Sequence, residues 1–360
     1  MKKIVHVVES FGGGVYYFLR ELCNGLADEF ELVIIYSERK ETPKNFKKDF
    51  NPKIKFIKVN MCRGFNPYIN IQSFFQIKKF LKKEDPDIIH LHSSKAGFLG
   101  RLACYFNGFN MENVYYNPHG FSFLQQNESK IKRKLYLYLE KFAANLGGYI
   151  IGCSKGEYEE AKKISNKSLN INNGIDIEEI DKIIIENNID KNIYKNNKKI
   201  TIGTVGRICP QKNPILFNEI ANNFPQYDFV WIGDGELKHE LKSKNIRITG
   251  WLERIDVIKE LLKLNIFILT SEWEGLPLSL LEAMYLEKPV IVSNVIGNKD
   301  VIINNENGYL CNDLSDFKKI LLNYNNNKIS NSAKNHIINF YSLKIMKQNY
   351  FNLYMESKNV

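Results

Sequence analysis

Long apolar runs are missing from this 360-residue chain. No stretch approaches the roughly 18 residues of a membrane-spanning helix, although 44% of the residues are hydrophobic. Cysteine is sparse: Cys23, Cys62, Cys104, Cys153, Cys209 and Cys311 are scattered, with no pair at metal-ligand spacing. That argues against a zinc site and fits the reduced thiols of a cytosolic protein. There is no G-x-G-x-x-G, which argues against a dinucleotide redox site, and no internal repeat of about 20–50 residues. The charge is basic, 50 Lys and Arg against 40 Asp and Glu, but no recognition motif accompanies it, so nucleic acid is not an expected partner. The start, Met1-Lys2-Lys3-Ile4-Val5-His6-Val7-Val8-Glu9, lacks the unbroken apolar core of a signal peptide, and glycines follow where a cleavage site belongs. It reads as a buried first strand.

What is there is a regular alternation. Apolar segments of strand length at 3–8, 30–36, 54–59, 88–92, 114–117 and 149–153 are separated by amphipathic stretches such as 15–26 and 70–83. After a stretch rich in Asn, Lys and Ile at 180–199, with little sign of a tight core, strands resume at 200–205, 229–232, 247–249, 266–270 and 290–293. The pattern predicts an α/β protein with two Rossmann-like doubly wound domains, residues 1–172 and 173–340. A polar stretch at 323–332 reads as a surface loop. Leu343, Met346, Tyr350, Leu353 and Tyr354 have the spacing of a closing amphipathic helix. Lysines cluster at 78–79, 82–83 and 130–134 on helical segments. A solvated face explains them, as does attraction to an anionic membrane, where each basic residue adds about 1 kcal/mol.

Ligands of open α/β sheets bind beyond the carboxyl ends of strands. Four such ends in the second half carry Gly206-Arg207-Ile208-Cys209-Pro210-Gln211-Lys212, Gly233-Asp234-Gly235-Glu236, Gly250-Trp251 and Ser271-Glu272-Trp273-Glu274-Gly275-Leu276-Pro277. The last opens a helix to about Leu286, with Pro277 in its first turn, where a missing N–H costs nothing. Gly275 admits close backbone approach, and the N–H groups around Leu276 and Leu278 form an anion site. A diphosphate there gains roughly 0.5–2 kcal/mol from the helix dipole. Glu274 precedes the helix and is aimed at whatever the phosphates carry. Glu282 sits among Leu278, Leu280, Leu281, Ala283 and Met284, where an unpaired carboxylate is costly, and ribose hydroxyls are its expected partners. Arg207 and Lys212 bring countercharge, a planar fork and a mobile point charge, so a departing nucleoside diphosphate is stabilised without metal.

Glu274-x7-Glu282, preceded by Gly206-Arg207 and Lys212, resembles the donor-site signature of retaining glycosyltransferase family four, which has the GT-B fold of two domains facing a central cleft. The resemblance runs over nearly the whole chain, through the glycine-rich first loop, Asn173-Gly174-Ile175-Asp176, Gly233-Asp234-Gly235 and Gly308-Tyr309-Leu310. It implies that Glu274 contacts the transferred sugar, Glu282 the ribose, and Arg207 with Lys212 the diphosphate. It also implies that the C-terminal helix, 341–360, crosses back to the first domain. The departures are Asn213, Glu287 and Asp300, where the family favours Gly, a small residue and Glu; they lie outside the charged core. The acceptor implied is a lipid-linked glycan of bacterial capsule or O-antigen synthesis, with a UDP-sugar the preferred donor and GDP or dTDP alternatives. The expected location is cytoplasmic, with peripheral contact at the inner membrane surface. The nucleotide sugar is a substrate, and no cofactor is expected.

In the first half, Gly12-Gly13-Gly14 follows a strand and opens a helix near Val15, where Gly13 and Gly14 let the backbone approach sugar or phosphate. His119, at the end of a strand in Asn117-Pro118-His119-Gly120-Phe121, is a candidate for hydrogen bonding a sugar hydroxyl or supporting charge at the anomeric carbon. The family places a sugar-contacting His similarly. His90 and His92 share a sheet face, but the sequence offers no third ligand nearby, so a metal is rejected. His92, Ser93, Ser94 and Lys95, with Tyr16 and Phe121, are the acceptor-side candidates. Gly13, Gly14, Gly206, Gly233, Trp251, Gly275, Leu276, Pro277 and Glu282 are the donor-side ones. Asp85-Pro86-Asp87 imitates a metal-binding DxD but precedes a strand and reads as a turn. No residue is an obvious general base, so the acceptor proton is expected to pass to the leaving phosphate while closure excludes water. Two alternatives stay open. An epimerase of the same fold needs acid and base carboxylates that the sequence does not place. A non-catalytic binding subunit would show a degenerate Glu274, Arg207 or Lys212.

Overall fold

The computed structural model describes residues 1–62, 64, 66–192, 198–323 and 330–357. The chain divides into two compact units, Met1–Asn173 with Leu343–Val360, and Gly174–Ser342.

The first unit is built on β1 (Lys3–Phe11), β2 (Glu31–Glu38), β3 (Lys55–Lys58), β4 (Ile88–His92), β5 (Val114–Asn117), β6 (Tyr149–Gly152) and β7 (Ser168–Asn170). All pair in parallel, in the order β3-β2-β1-β4-β5-β6-β7. Ile4, Val5, Val7 and Val8 of central β1 are fully buried, so both faces are covered, as a parallel sheet between helix layers requires. The helices are α1 (Gly13–Leu26), α2 (Pro67–Glu84), α3 (Ser94–Asn107), α4 (Lys130–Asn145) and α5 (Lys155–Lys162). α2 starts at an Asn66 cap with Pro67 in its first turn and stops at Asp85, whose φ is +45°. Asp87 then accepts the Lys3 amide at 2.7 Å. The D-P-D segment is a tie between α2 and the sheet, at the amino end of β4.

The second unit holds α6 (Ile177–Glu186), β8 (Thr201–Val205), α7 (Pro214–Asn223), β9 (Asp228–Ile232), β10 (Ile246–Ile248), α8 (Arg254–Lys263), β11 (Ile266–Leu269), α9 (Leu278–Tyr285), β12 (Val290–Ser293), α10 (Asn298–Val301), β13 (Tyr309–Cys311), α11 (Leu314–Leu322) and α12 (Ser330–Phe340). Its sheet is also all parallel, ordered β10-β9-β8-β11-β12-β13. Both sheets reverse direction of growth beside their first strand, the point at which such folds open a ligand crevice. The last helix, α13 (Leu343–Glu356), belongs to the first unit and packs on α1. There Met346, Tyr350 and Tyr354 are buried, and Lys2 Nζ donates to the carbonyls of Tyr354 (3.1 Å), Met355 (3.0 Å) and Ser357 (2.7 Å), closing the helix with a cation.

Three features differ from the sequence reading. β7 and β13 are three-residue edge strands with too few apolar positions to register. The stretch at 180–199 is not uniformly without a core: Asp176 caps α6 through the Glu179 amide (2.8 Å), and Ile180, Ile183 and Ile184 are buried. The Asn and Lys that follow mask that short stripe, and residues 193–197 lie outside the described part. So do residues 324–329 of the expected surface loop, which gives way to α12 at Ser330. None of the described helices is long and apolar enough to cross a membrane.

Candidate active site

At the carboxyl ends of β8 and β9, Gly206 and Gly233 have φ of +153° and +139°, backbone geometry that L side chains rarely adopt. A Cβ on Gly233 would collide with the Gly206 carbonyl oxygen, and one on Gly235 with the Ile208 backbone. The loops are joined through main chain: Gly206 N donates to Ile232 O (3.0 Å), Ile208 N to Asp234 O (2.9 Å) and Leu237 N to Ile208 O (3.1 Å). Trp231 Nε1 donates to Gly206 O at 2.8 Å. This makes a floor free of side chains at its centre. Half-buried Arg207 follows Gly206 directly.

The next turn, Pro210–Lys212, brings Lys212 Nζ to 2.6 Å from Glu274 Oε1. Ser271 Oγ donates to the same oxygen (2.6 Å), and Gln211 Nε2 donates to Glu274 Oε2 (3.1 Å) and to Trp273 O (3.1 Å). Lys212 and Glu274 side chains are only 15% and 5% exposed, so neither charge has water enough to stand alone. The two residues expected to do chemistry form a single hydrogen-bonded unit.

α9 begins at Leu278, with Pro277 as its N-cap rather than inside its first turn, and ends at Tyr285. Leu280 N is bonded to Pro277 O (3.1 Å), while the amides of Leu278 and Ser279 precede the first intrahelical bond, as the opening amides of any helix do. Gly275 and Leu276 are buried just ahead of it. Gly297 (φ +84°) lies so close that an added Cβ would meet Gly275 O. Glu282 is buried, and the partner expected from ribose hydroxyls is already supplied by protein: Arg254 Nη1 donates to Glu282 Oε1 at 2.6 Å, and Arg254 Nε to Glu179 Oε2 at 3.2 Å. Trp251 is 60% exposed beyond β10.

In the first unit the structure overturns the premise that His90 and His92 lack a third imidazole. His6 of β1 lies opposite His90 in the parallel register, and the loop after β5 brings His119. His6 Nδ1 is 3.0 Å from His92 Nε2, and His92 Nδ1 is 3.1 Å from His119 Nε2. His90 Nδ1 meets the Tyr354 hydroxyl (2.6 Å), and His90 Nε2 meets Asn117 Oδ1 (2.5 Å). Burial lowers His90 and His119 to about 3, with the neighbouring His90 adding to the effect on His119. Burial and neighbouring rings lower His6 and His92 as well, so all four are neutral imidazoles. His6, His90 and His92 have nitrogens within 4.8 Å of one another, yet five of their six nitrogens already hold partners. That fit favours a hydrogen-bonded network over a metal centre.

The acceptor-side candidates divide. His119, half-buried with φ +53°, stands at the end of β5. His92 lies fully behind it. Tyr16 is buried with its hydroxyl on Asp49, and Phe121 is buried against Phe123 at 4.8 Å, so both serve the core. Ser93 (φ +73°) caps α3, and Ser94 opens it and accepts from Tyr116 at 3.4 Å. Lys95 Nζ is held by the carbonyls of Cys62 and Gly64. Around Gly13 (φ +54°) and Gly14 an added Cβ meets nothing within 4 Å, leaving that backbone accessible.

Two family models match in succession, Glycosyltransferase Family 4 over residues 12–179 and Glycosyl transferases group 1 over residues 185–334. Over 318 residues, 80% of each chain, the sequence is 34% identical to the UDP-Gal:alpha-D-GlcNAc-diphosphoundecaprenol alpha-1,3-galactosyltransferase of Escherichia coli. The chain is a family-four glycosyltransferase. The transferase also superposes on sucrose-phosphate synthase from Thermosynechococcus elongatus (TM-score 0.79, 15% identity, 99% of both chains covered). The likeness to Anabaena HepE, solved in complex with UDP and glucose, is similar (TM-score 0.76, 16% identity, 98% and 99% covered). At such identities the likeness is one of fold, GT-B.

Sequence reasoning missed Gln211, Ser271, Arg254 and His6 in this transferase. Ser271 and Gln211 sat inside segments already singled out, and only their geometry distinguishes them. Arg254 lies in an ordinary amphipathic helix and gave no signal. His6 did: it is a polar residue that interrupts the apolar run Ile4–Val8 at the centre of β1.

Proposed function

We propose that this glycosyltransferase moves a hexosyl group, with retained anomeric configuration and without a metal ion, from a UDP-sugar to a hydroxyl of a diphosphate-lipid-linked glycan. The observation that carries it is the buried Lys212–Glu274 pair, held by Ser271 and Gln211 beside the start of α9. As the bond from the anomeric carbon to the diphosphate oxygen breaks, charge builds on the diphosphate. Lys212, Arg207 and the first-turn amides of α9 offset that charge where it develops. Glu274 orients the sugar, and Glu282, its second oxygen free of Arg254, takes the ribose. The acceptor oxygen bonds to the same carbon and its proton leaves on the diphosphate, so no separate base is required. The UDP donor and the lipid-diphosphate acceptor follow the E. coli relative, whose name specifies both.

The same reading has the enzyme work from the cytoplasmic face of an anionic membrane. On α4, Ile131, Leu135, Tyr138 and Phe142 are exposed at spacings of 4, 3 and 4 residues, a solvent-facing apolar stripe. Tyr136, Leu137 and Ala144 of the same helix face the core. Lys130, Lys132, Lys134 and Lys141 flank the stripe. α4 packs on α3 and α3 on α2, where Tyr68, Ile71, Phe75, Tyr105 and Phe106 are exposed and Lys78 lies 5.9 Å over the Phe106 ring. Apolar groups ringed by lysine fit the boundary between headgroups and acyl chains.

The test is transfer by the full chain from a panel of nucleotide sugars to lipid-diphosphate-linked saccharides, with the anomeric configuration read by NMR. Retention, activity in excess chelator and a loss of at least about 100-fold in Glu274→Gln are expected. An inverted product, strict metal dependence or a wild-type rate in that variant each removes its part of the proposal.

A further inference from the structure

The buried histidine chain has a direction. His90 shows how directions are read: Asn117 Nδ2 donates to Ile151 O (3.1 Å), so Asn117 Oδ1 is the acceptor and His90 Nε2 must carry the proton. His90 Nδ1 is then bare and accepts from the Tyr354 hydroxyl. In the His6–His92–His119 chain each ring is neutral, so each has one donor and one acceptor nitrogen. The free end decides the order. His6 Nε2 is buried without a partner. An orphaned N–H is the rarer and costlier state, so the bare nitrogen sits there and His6 Nδ1 carries the proton. His6 Nδ1–H then donates to His92 Nε2, and His92 Nδ1–H donates to His119 Nε2. His119 is left with its proton on Nδ1, the ring nitrogen that no group among the described residues engages.

We propose that His6 and His92 are positioning residues that fix the tautomer of His119, so that the nitrogen it offers a ligand oxygen is a hydrogen-bond donor and not an acceptor. His119 therefore polarises a sugar or acceptor oxygen instead of receiving a proton through Nδ1. The tautomer follows from the first unit's own bonds, while the identity of that oxygen rests on the transferase reading above. The arrangement also gives fully buried His6 and His92 a role in the reaction without contact to any substrate.

The test is the two-bond proton–nitrogen correlation spectrum of the full chain labelled with nitrogen-15 histidine, with no substrate present. His119 resonances are assigned by their loss in His119→Gln. A single His119 species protonated on Nδ1 and bare on Nε2 is expected. The opposite tautomer, or an average of the two, overturns the proposal even if transfer activity is intact. His6→Asn keeps an N–H where Nδ1 stood and is expected to preserve the His119 signature. His6→Leu removes the donor and is expected to scramble the signature and to lower kcat about tenfold, the effect of one hydrogen bond. An unchanged His119 tautomer in His6→Leu would show that His119 sets its own state. If His6→Leu does not fold, the wild-type spectrum and His6→Asn still decide.

Discussion

The two sheets share a strand order and differ at their carboxyl edges. In the second unit that edge is ionic and glycine-lined: Lys212 with Glu274, Arg254 with Glu282, over a floor where Gly206 and Gly233 exclude side chains. In the first, beside a Glu9–Arg39 ion pair, stands a neutral aromatic cluster in which His6, His92 and His119 are bonded in one chain and Tyr354, His90, Asn117 and Tyr350 in another. One topology thus supports two kinds of polar interior. Countercharge suits a site that must hold a diphosphate as its charge rises. Neutral, directional hydrogen bonds suit a site that must discriminate between hydroxyls, because a bond's polarity and angle matter there more than net charge.

The sharpest way to break the comparison is Lys212→Ala. Transfer is expected to fall about 1,000-fold, and stability by about 3 kcal/mol, because Glu274 is left buried without its cation. Removing both partners, Lys212→Ala with Glu274→Ala, is expected to recover much of that stability and none of the activity, read by urea titration beside the transfer assay. Full stability in the single variant would show that the pair is not the unit described. Gly233→Ala comes next. A methyl group against the Gly206 carbonyl and an unsuitable φ are expected to cost about 2–3 kcal/mol and to weaken UDP binding in calorimetry, whereas Gly13→Ala, with open space around it, loses only about 1 kcal/mol.

Acid separates the units by another route. An unfolded histidine titrates near about 6.5, while burial holds His90 and His119 at about 3 and lowers His6 and His92 too. Between those values the unfolded chain binds more protons. These rings' contribution to the first unit's stability is therefore full above about pH 6.5 and is lost as the pH falls toward about 3. The second unit's histidines are His239 and His336, and burial lowers His336, one such group against four. All three tryptophans, Trp231, Trp251 and Trp273, lie in that unit. On acidification the histidine and tyrosine signals are expected to change before tryptophan emission, and coincident transitions would contradict this. The smallest effect concerns the outer faces. Tyr138→Ser on α4 is expected to weaken binding to anionic vesicles about tenfold, near 1.4 kcal/mol of lost apolar contact, and Lys134→Glu to do so more at low salt than at high salt. Unchanged binding in both would detach the stripe from the membrane.

What the sequence made legible follows from how local each signal is. The central strands, the long helices and Glu274 with Lys212 announce themselves by periodicity and spacing. The Arg254–Glu282 pair does not, because Arg254 lies in an ordinary amphipathic helix and carries no motif, whereas Lys212 and Glu274 each follow the end of a strand. The sequence shows Glu282 as a buried carboxylate in need of a partner, but not which residue supplies it. The histidine network is hidden for a similar reason: His90 and His92 alternate along one strand, while His6 meets them across the sheet and His119 arrives from a loop. Tyr16 and Phe121 show the opposite error, since aromatic residues beside a candidate site are read as ligand contacts until burial assigns them to the core.

The placement of α13 bears on how the protein is made. Tyr350 and Tyr354 complete the bonds of Asn117 and His90, and Lys2 grips the carbonyls at the helix end. The first unit therefore waits for α13, which is synthesised after the whole of the second unit, while Gly174–Ser342 is continuous in sequence. On the ribosome the usual order of amino-terminal folding first is inverted: the second unit has all its parts before the unit that precedes it in the message. A chain cut short before α13 would release a finished second unit joined to an open first one, its imidazoles exposed to solvent.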